Sequence, residues 1–152
     1  MSLEIIPVWK NITPELEAEL VDFWIGNKAI GDEKLAAERA KQVVCLVRSE
    51  KGEIVGVSTA QARIVPRLRQ PMYYYRNFIV ADYRGKQLAA PFLKKTQDVL
   101  QEYNLALPKP NCLGIIIELE NTSLAAHRNE AQWKEGFTFI GYSPKGLHLR
   151  VW

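Results

Sequence analysis

Apolar residues recur along this chain with two different spacings, and each change of spacing marks a change of element. Residues 3–9 (LEIIPVW) read as a short strand. Thr13 then serves as an N-cap, with Pro14 at the first helical position and Glu15 at the positive helix end. Leu16, Leu20, Phe23 and Trp24 fall on one face of the helix that follows, which Gly26-Asn27 weakens. Gly31-Asp32 opens a second helix through Leu35, Ala36 and Ala40.

Beyond it the spacing shortens. Residues 43–48 (VVCLVR) are β-branched and apolar, Lys51-Gly52 makes a turn, and 53–65 return as a long strand, a β-hairpin. A basic loop (66–71, PRLRQP) leads to a strand over 73–80 (YYYRNFIV). Leu88, Phe92, Thr96, Val99 and Tyr103 then share a helical face, with Pro91 tolerated because a first turn has no intrahelical N–H partners to lose. Two prolines keep 106–111 from continuing that helix. Residues 112–119 (CLGIIIEL) are apolar enough for a buried strand. A fourth helix is expected from about Ser123 to Glu135, closed by Gly136. The chain ends in a hairpin of 137–142 and 147–152 around Ser-Pro-Lys-Gly.

The order β-α-α-β-β-β-α-β-α-β-β implies an α/β (α+β) fold. Its sheet is expected to be mixed, seven-stranded and mostly antiparallel, with helices on both faces. One β-α-β unit over 73–119 requires a parallel, right-handed crossover. With no linker, repeat or low-complexity run, residues 1–152 are expected to form a single domain.

Composition narrows the function. A chain 47% apolar and 24% charged has the make-up of a soluble globular protein. A net charge of +3 suits a phosphate-bearing small ligand and falls short of a nucleic-acid footprint. Cys45 and Cys112 sit in apolar runs, as buried thiols of a reducing compartment do. No stretch approaches the ~18 apolar residues a membrane span needs. The segment MSLEIIPVWK has an acid where a signal peptide needs basic residues, so the expected location is the cytoplasm, with no membrane partner. No metal site is expected.

The chemistry concentrates in 77–90 (NFIVADYRGKQLAA), where a strand ends at Val80, a turn carries Arg84, Gly85 and Lys86, and a helix starts near Leu88. Successive backbone N–H groups beside a helix N-terminus, with two added cations, make an anion site. The same residues also suit a solvated basic turn. Arg63, Arg67, Arg69 and Arg76 surround the 66–71 loop, followed closely by Tyr73, Tyr74 and Tyr75. That group reads as a solvated hairpin end, as a surface for an acidic acceptor, or as a platform for nucleic-acid bases.

The strand-turn-helix resembles the acetyl-CoA-binding motif of the GNAT acetyltransferase family, Gln/Arg-x-x-Gly-x-Gly/Ala. Arg84 matches its first position and Ala89 its last, while Gln87 stands where the family has glycine. Residues 117–137 (IELENTSLAAH…WKEGF) resemble the family's second motif, and the element order agrees along nearly the whole chain. The resemblance implies acetyl-CoA as co-substrate and an unidentified amine as acceptor. Pantetheine would pair with backbone near Phe78, Ile79 and Val80, and a backbone N–H near Val80 would polarise the thioester oxygen. The pyrophosphate would lie on Arg84, Gly85, Lys86, Gln87, Leu88 and Ala89. Asn121 would flank the pantetheine arm or cap a helix.

Acyl transfer also needs a base for the amine and a proton for the thiolate. The family's usual tyrosine falls at Arg128, or near Gln132 when counted back from Gly136, and its usual glutamate falls at Ile116. His127, Glu120, Glu118 and Tyr75 are the remaining candidates, and His148 is expected to be exposed. An N-acetyltransferase and a non-catalytic CoA- or ligand-binding protein of the same fold both fit these residues. Nucleic-acid binding fits the modest charge less well.

Overall fold

The computed structural model describes residues 3–84, 87–120 and 128–152. Its strands are β1 (Glu4–Pro7), β2 (Val43–Arg48), β3 (Ile54–Val65), β4 (Gln70–Ile79), β5 (Ile115–Glu118), β6 (Thr138–Tyr142) and β7 (His148–Val151). Its helices are α1 (Pro14–Gly26), α2 (Glu33–Ala40) and α3 (Ala89–Ala106), with a short 3-10 turn at Ala81–Tyr83. The strands form one seven-stranded sheet in the order β1-β2-β3-β4-β5-β7-β6. β4 and β5 run parallel, with Tyr73–Tyr75 opposite Ile115–Ile117. β1 with β2, β2 with β3, β5 with β7 and β6 with β7 are antiparallel. This is the mixed, mostly antiparallel sheet that the element order implied.

The chain packs as two compact units, Met1–Ala60 with Arg76–Tyr103, and Gln61–Tyr75 with Asn104–Trp152. In the first unit the caps fall where the sequence puts them. The Thr13 side chain accepts from Leu16 N at 3.1 Å, and Asp32 accepts from Lys34 N at 2.8 Å. Leu20, Phe23 and Trp24 of α1 and Ala36 and Ala40 of α2 pack with Val43, Leu46, Ile54 and Val57. On α3, Thr96 Oγ1 lies 2.9 Å from Ser58 Oγ. Val57 and Ser58 are consecutive and point to opposite sides of β3, so α3 covers one face and α1 and α2 the other. Cys45, buried on β2, has its thiol pushed up to about 11, chiefly by desolvation. Cys112 is also buried, and neither cysteine is in a disulfide.

The second unit is organised around Arg150, which is fully buried on β7. Its guanidinium stacks 4.4 Å from the Trp133 ring and donates to Arg128 O at 3.1 Å and Ala131 O at 3.4 Å. Burial pulls this guanidinium below its ordinary value. Here the expected helix from Ser123 to Glu135 is corrected. Ser123–His127 lies outside the described residues, and 128–135 is not helical. Carbonyls that a helix would bond internally are taken by Arg150 and by Phe139 N, which donates to Ala131 O at 2.9 Å. The segment instead folds as a narrow hairpin. Trp133 N donates to Phe137 O at 2.8 Å, Gln132 bridges Thr138, and Gly136 turns at φ +96°.

Three smaller differences follow from local contacts. β4 begins at Gln70, because the four residues 66–69 suffice for the turn and Pro71 O accepts from Leu113 N. β5 is confined to Ile115–Glu118, since Asn104 holds the backbone of Asn111 and Cys112 in the preceding loop. His148 is half-buried rather than exposed, its ring 5.3 Å from Phe139 and 5.4 Å from Tyr142. Among the described residues no helix is long and apolar enough to cross a membrane.

Two glycines separate steric from conformational demands. A Cβ at Gly114 would collide with the Trp152 carbonyl oxygen and lie 3.3 Å from Met72 Cε, whereas one at Gly26 meets nothing within 4 Å. Gly114→Ala should therefore cost about 1–3 kcal/mol through overpacking. Gly26→Ala, at the end of α1, should gain about 0.5–1 kcal/mol from lost chain entropy in the unfolded state. Urea titration of both variants checks the opposite signs.

Candidate functional site

The backbone of β4 fixes what its C-terminal end can offer a ligand. Tyr73 N donates to Gly114 O at 2.8 Å on the β5 side, and Val80 N donates to Val55 O at 2.9 Å on the β3 side. The N–H and C=O of one strand residue point to the same edge, and successive residues alternate. Odd-numbered residues therefore serve the β5 side and even-numbered ones the β3 side. The N–H of Val80 itself is engaged within the sheet. Along the part of β4 beyond its register with β5, Asn77 and Ile79 direct their backbone groups to that edge, whereas Phe78 and Val80 do not.

The turn after β4 is anchored to the strand it leaves. Arg84 Nε donates to Ile79 O at 2.7 Å, and the guanidinium lies 5.4 Å over the Phe78 ring. Gly85 and Lys86 lie outside the described residues. Gln87 has φ +57°, in the left-handed region that L-residues avoid and glycine tolerates. The residue thus departs from the glycine pattern while its backbone keeps the conformation glycine favours. Leu88 is buried and its carbonyl accepts from Phe92 N at 3.0 Å, which starts α3 at Ala89. The exposed first residues of α3 carry N–H groups that precede its ladder, the partial positive charge an anion seeks.

The proton-handling candidates are dispersed. Tyr74 OH donates to Glu118 Oε1 at 2.6 Å, a charge-assisted bond between neighbouring parallel strands. Arg63 stacks 4.3 Å over the Tyr74 ring. Glu118 thus has a defined polar neighbour, while Glu120 is exposed beyond the end of β5. Tyr75 is buried and points to the opposite face from Tyr74. Asn121 and His127 lie outside the described residues. Tyr74 was only one of several tyrosines in the sequence. Its pairing with Glu118 follows from the register that sets Tyr74 opposite Ile116, which places Glu118 diagonally on the same face.

At the family's tyrosine position, Arg128 has a structural job. Arg128 Nη2 lies 2.9 Å from Glu135 Oε2, and its guanidinium stacks 4.4 Å over Trp133. Ile116, at the family's glutamate position, is buried. Burial raises the Glu135 carboxyl, but the Arg128 hydrogen bond, a backbone hydrogen bond and the charges of Arg128 and Lys134 together outweigh it and hold the group below the ordinary carboxylate range.

The same fold occurs in acetyltransferases of known structure. A GNAT-family acetyltransferase from Streptococcus pneumoniae matches with TM-score 0.62 at 16% identity, covering 99% of each chain. A histone acetyltransferase HPA2 and related acetyltransferase from Corynebacterium glutamicum matches at 0.60 and 21% identity, over 100% of this chain and 96% of that one. The KacTA–DNA complex contains a chain that matches at 0.59 and 15% identity, over 99% and 92%. No protein-family model and no curated protein matches the sequence. The fold is that of the GNAT acetyltransferases.

Two predictions follow from these contacts. A left-handed residue other than glycine costs roughly 1–2 kcal/mol, offset in part by the ~0.5–1 kcal/mol of chain entropy that glycine loses. Gln87→Gly should accordingly raise stability by about 0.5–1 kcal/mol in urea titrations. Glu135 titrates lower when folded than unfolded, so its stabilisation is complete above the ordinary carboxylate range. It is lost as pH falls through the lowered folded value. Glu135→Gln should cost about 1 kcal/mol at pH 7, and the gap from the parent should close by pH 3. A gap that stays constant between the two pH values would show that the ion pair is not its source.

Proposed function

We propose that this protein is an N-acetyltransferase that moves the acetyl group of acetyl-CoA to an amine. The observation that carries this reading is the left-handed backbone of Gln87, between a strand end and a helix N-terminus, at the glycine position of the acetyl-CoA motif. The fold shared with known acetyltransferases supports the same reading.

In this proposal the pyrophosphate is held by Arg84, Gly85, Lys86 and the backbone of Gln87, Leu88 and Ala89. Pantetheine pairs with the edge of β4 at Asn77 and Ile79, and Phe78 and Val80 contribute through side chains. Asn121 flanks the arm. The Ile79 N–H, next to Val80, is the donor to the thioester oxygen, where negative charge develops as the amine attacks. The amine nitrogen bonds to the acetyl carbon, the C–S bond breaks, and the CoA thiolate leaves and takes up a proton. Glu118, held by Tyr74, is assigned the proton that the attacking nitrogen loses. Glu120, Tyr75 and His127 are secondary candidates. The buried free thiols fit a cytoplasmic setting, where acetyl-CoA is available.

One observation favours a second reading, a CoA-binding protein without turnover. Arg128 and Ile116 occupy the family's two proton-handling positions, and Arg128 is committed to an ion pair. Positioning of the reactants alone can lower a barrier by ~7–11 kcal/mol, so the loss of a dedicated acid slows transfer without abolishing it.

Both readings expect acetyl-CoA to raise the melting temperature, since a ligand specific to the folded state stabilises it by about 2.7 kcal/mol at 100 times its Kd. Adenosine should do little, and Arg84→Ala should reduce the shift. Thiol release with a panel of amines should depend on the acceptor and rise with pH as the amine deprotonates. Binding without any acceptor-dependent release would select the second reading. Absence of a thermal shift at millimolar acetyl-CoA would dispose of both.

A further inference from the structure

β3 changes character halfway along its length. Its first seven residues, Ile54–Ala60, are buried, and the next four, Gln61, Ala62, Arg63 and Ile64, are exposed. A strand with solvent on both alternating side-chain faces is not sandwiched between layers. Its register with β2 runs from Arg48 opposite Ile54 to Val43 opposite Thr59, and Ala60 N donates to Gln42 O just beyond it. Among the described residues β3 neighbours only β2 and β4, so from Gln61 onward its outer edge has no strand beside it. By the alternation that sends the Ala60 N–H to that edge, Ala62 and Ile64 present their backbone donors and acceptors there as well.

The same stretch has a one-signed charge. No acidic residue stands between Glu53 and Asp82, while Arg63, Arg67, Arg69 and Arg76 do. Arg63, Arg67 and Arg69 are exposed at the end of the β3–β4 hairpin. Arg67 donates to Ile140 O at 3.0 Å, which ties the base of the turn to β6. Arg69 is held at φ +53° with its N–H on Val65 O at 2.8 Å, so the turn presents its cations on a defined backbone. Exposed edges of this kind are normally blunted by a covering element, or else used for pairing with another chain. Ile64, 73% exposed, adds an apolar contact beside the edge.

The geometry points to this edge of β3 as a docking site for an extended acidic segment of a partner protein, added as a strand beside Gln61–Val65. Backbone pairing at Ala62 and Ile64 supplies the register, and carboxylates answer Arg63 and Arg69. Nucleic acid is the less suitable polyanion. The aromatic rings that would stack bases are withdrawn, with Tyr73 and Tyr75 buried and Tyr74 covered by Arg63. The site is independent of acetyl transfer and stands whether or not the protein turns over acetyl-CoA.

The test is fluorescence anisotropy on the full chain with a labelled ten-residue peptide of alternating Val and Glu. Its Val/Lys counterpart, an alternately N-methylated Val/Glu version and a labelled oligothymidylate are run beside it. The Val/Glu peptide should bind, the Val/Lys and N-methylated versions should not, and Arg69→Glu should weaken binding about fivefold. The Arg69 side chain is exposed, and circular dichroism of the variant verifies that it folds. The proposal is overturned if the Val/Glu peptide fails to bind, if N-methylation leaves its affinity unchanged, or if oligothymidylate binds as tightly.

Discussion

A β-strand has two edges, and every backbone group it gives to one neighbour is withheld from the other. β4 lives under that constraint along its whole length. Its even-numbered residues face β3, as the bond from Val80 N to Val55 O shows at its end. Its odd-numbered residues face β5, as the bond from Tyr73 N to Gly114 O shows near its start. Among the described residues the register with β5 ends at Tyr75 opposite Ile117, yet the strand runs on to Ile79. What the last residues offer on the β5 side is thereby decided before any side chain is considered. That is why, among the N–H groups near Val80, the proposal turns to Ile79 for the thioester oxygen.

The turn after β4 answers a different demand, for backbone conformation rather than backbone direction. A strand that ends and a helix that begins within a few residues need one residue to reverse the handedness of the chain, and here it is Gln87. Glycine would meet the demand without strain. Because Arg84 spends its Nε on Ile79 O, the turn is fastened to β4 from its other end. Strand end, turn and helix start are thus linked by one side-chain bond and one unfavourable dihedral.

Most of the fold was legible in the sequence, because most of it follows from local rules. Thr13 and Asp32 cap helices as their chemistry dictates, β2 was read to the residue, and α3 begins one residue after its expected start. The misreading at 128–135 has a cause no local rule contains. Arg150 lies in the last strand of the terminal hairpin, but it is buried and must satisfy its guanidinium. It draws on Arg128 O and Ala131 O, and a segment with those carbonyls engaged from outside folds as a hairpin. His148 was misjudged for a related reason, since its neighbours Phe139 and Tyr142 come from the antiparallel strand rather than from its own. Of the candidate site, the turn was legible because its conformation is written in a short motif. The contact between Glu118 and Tyr74 depends on a parallel register between distant segments and was not.

If the proposed acetyl transfer holds, that contact bears on how protons are managed where the family's usual residues are missing. Arg128 cannot protonate a thiolate while it is paired with Glu135, and Ile116 has nothing to titrate. Glu118, which accepts a 2.6 Å bond from the Tyr74 phenol, is the carboxylate to which the proposal gives the proton of the attacking nitrogen. On the proposed reading, an amine that arrives already neutral needs little more than a positioned acceptor for its proton. The likeness in fold to acetyltransferases with other acceptors sets no limit here, because acceptor choice belongs to the residues of a site and not to its scaffold.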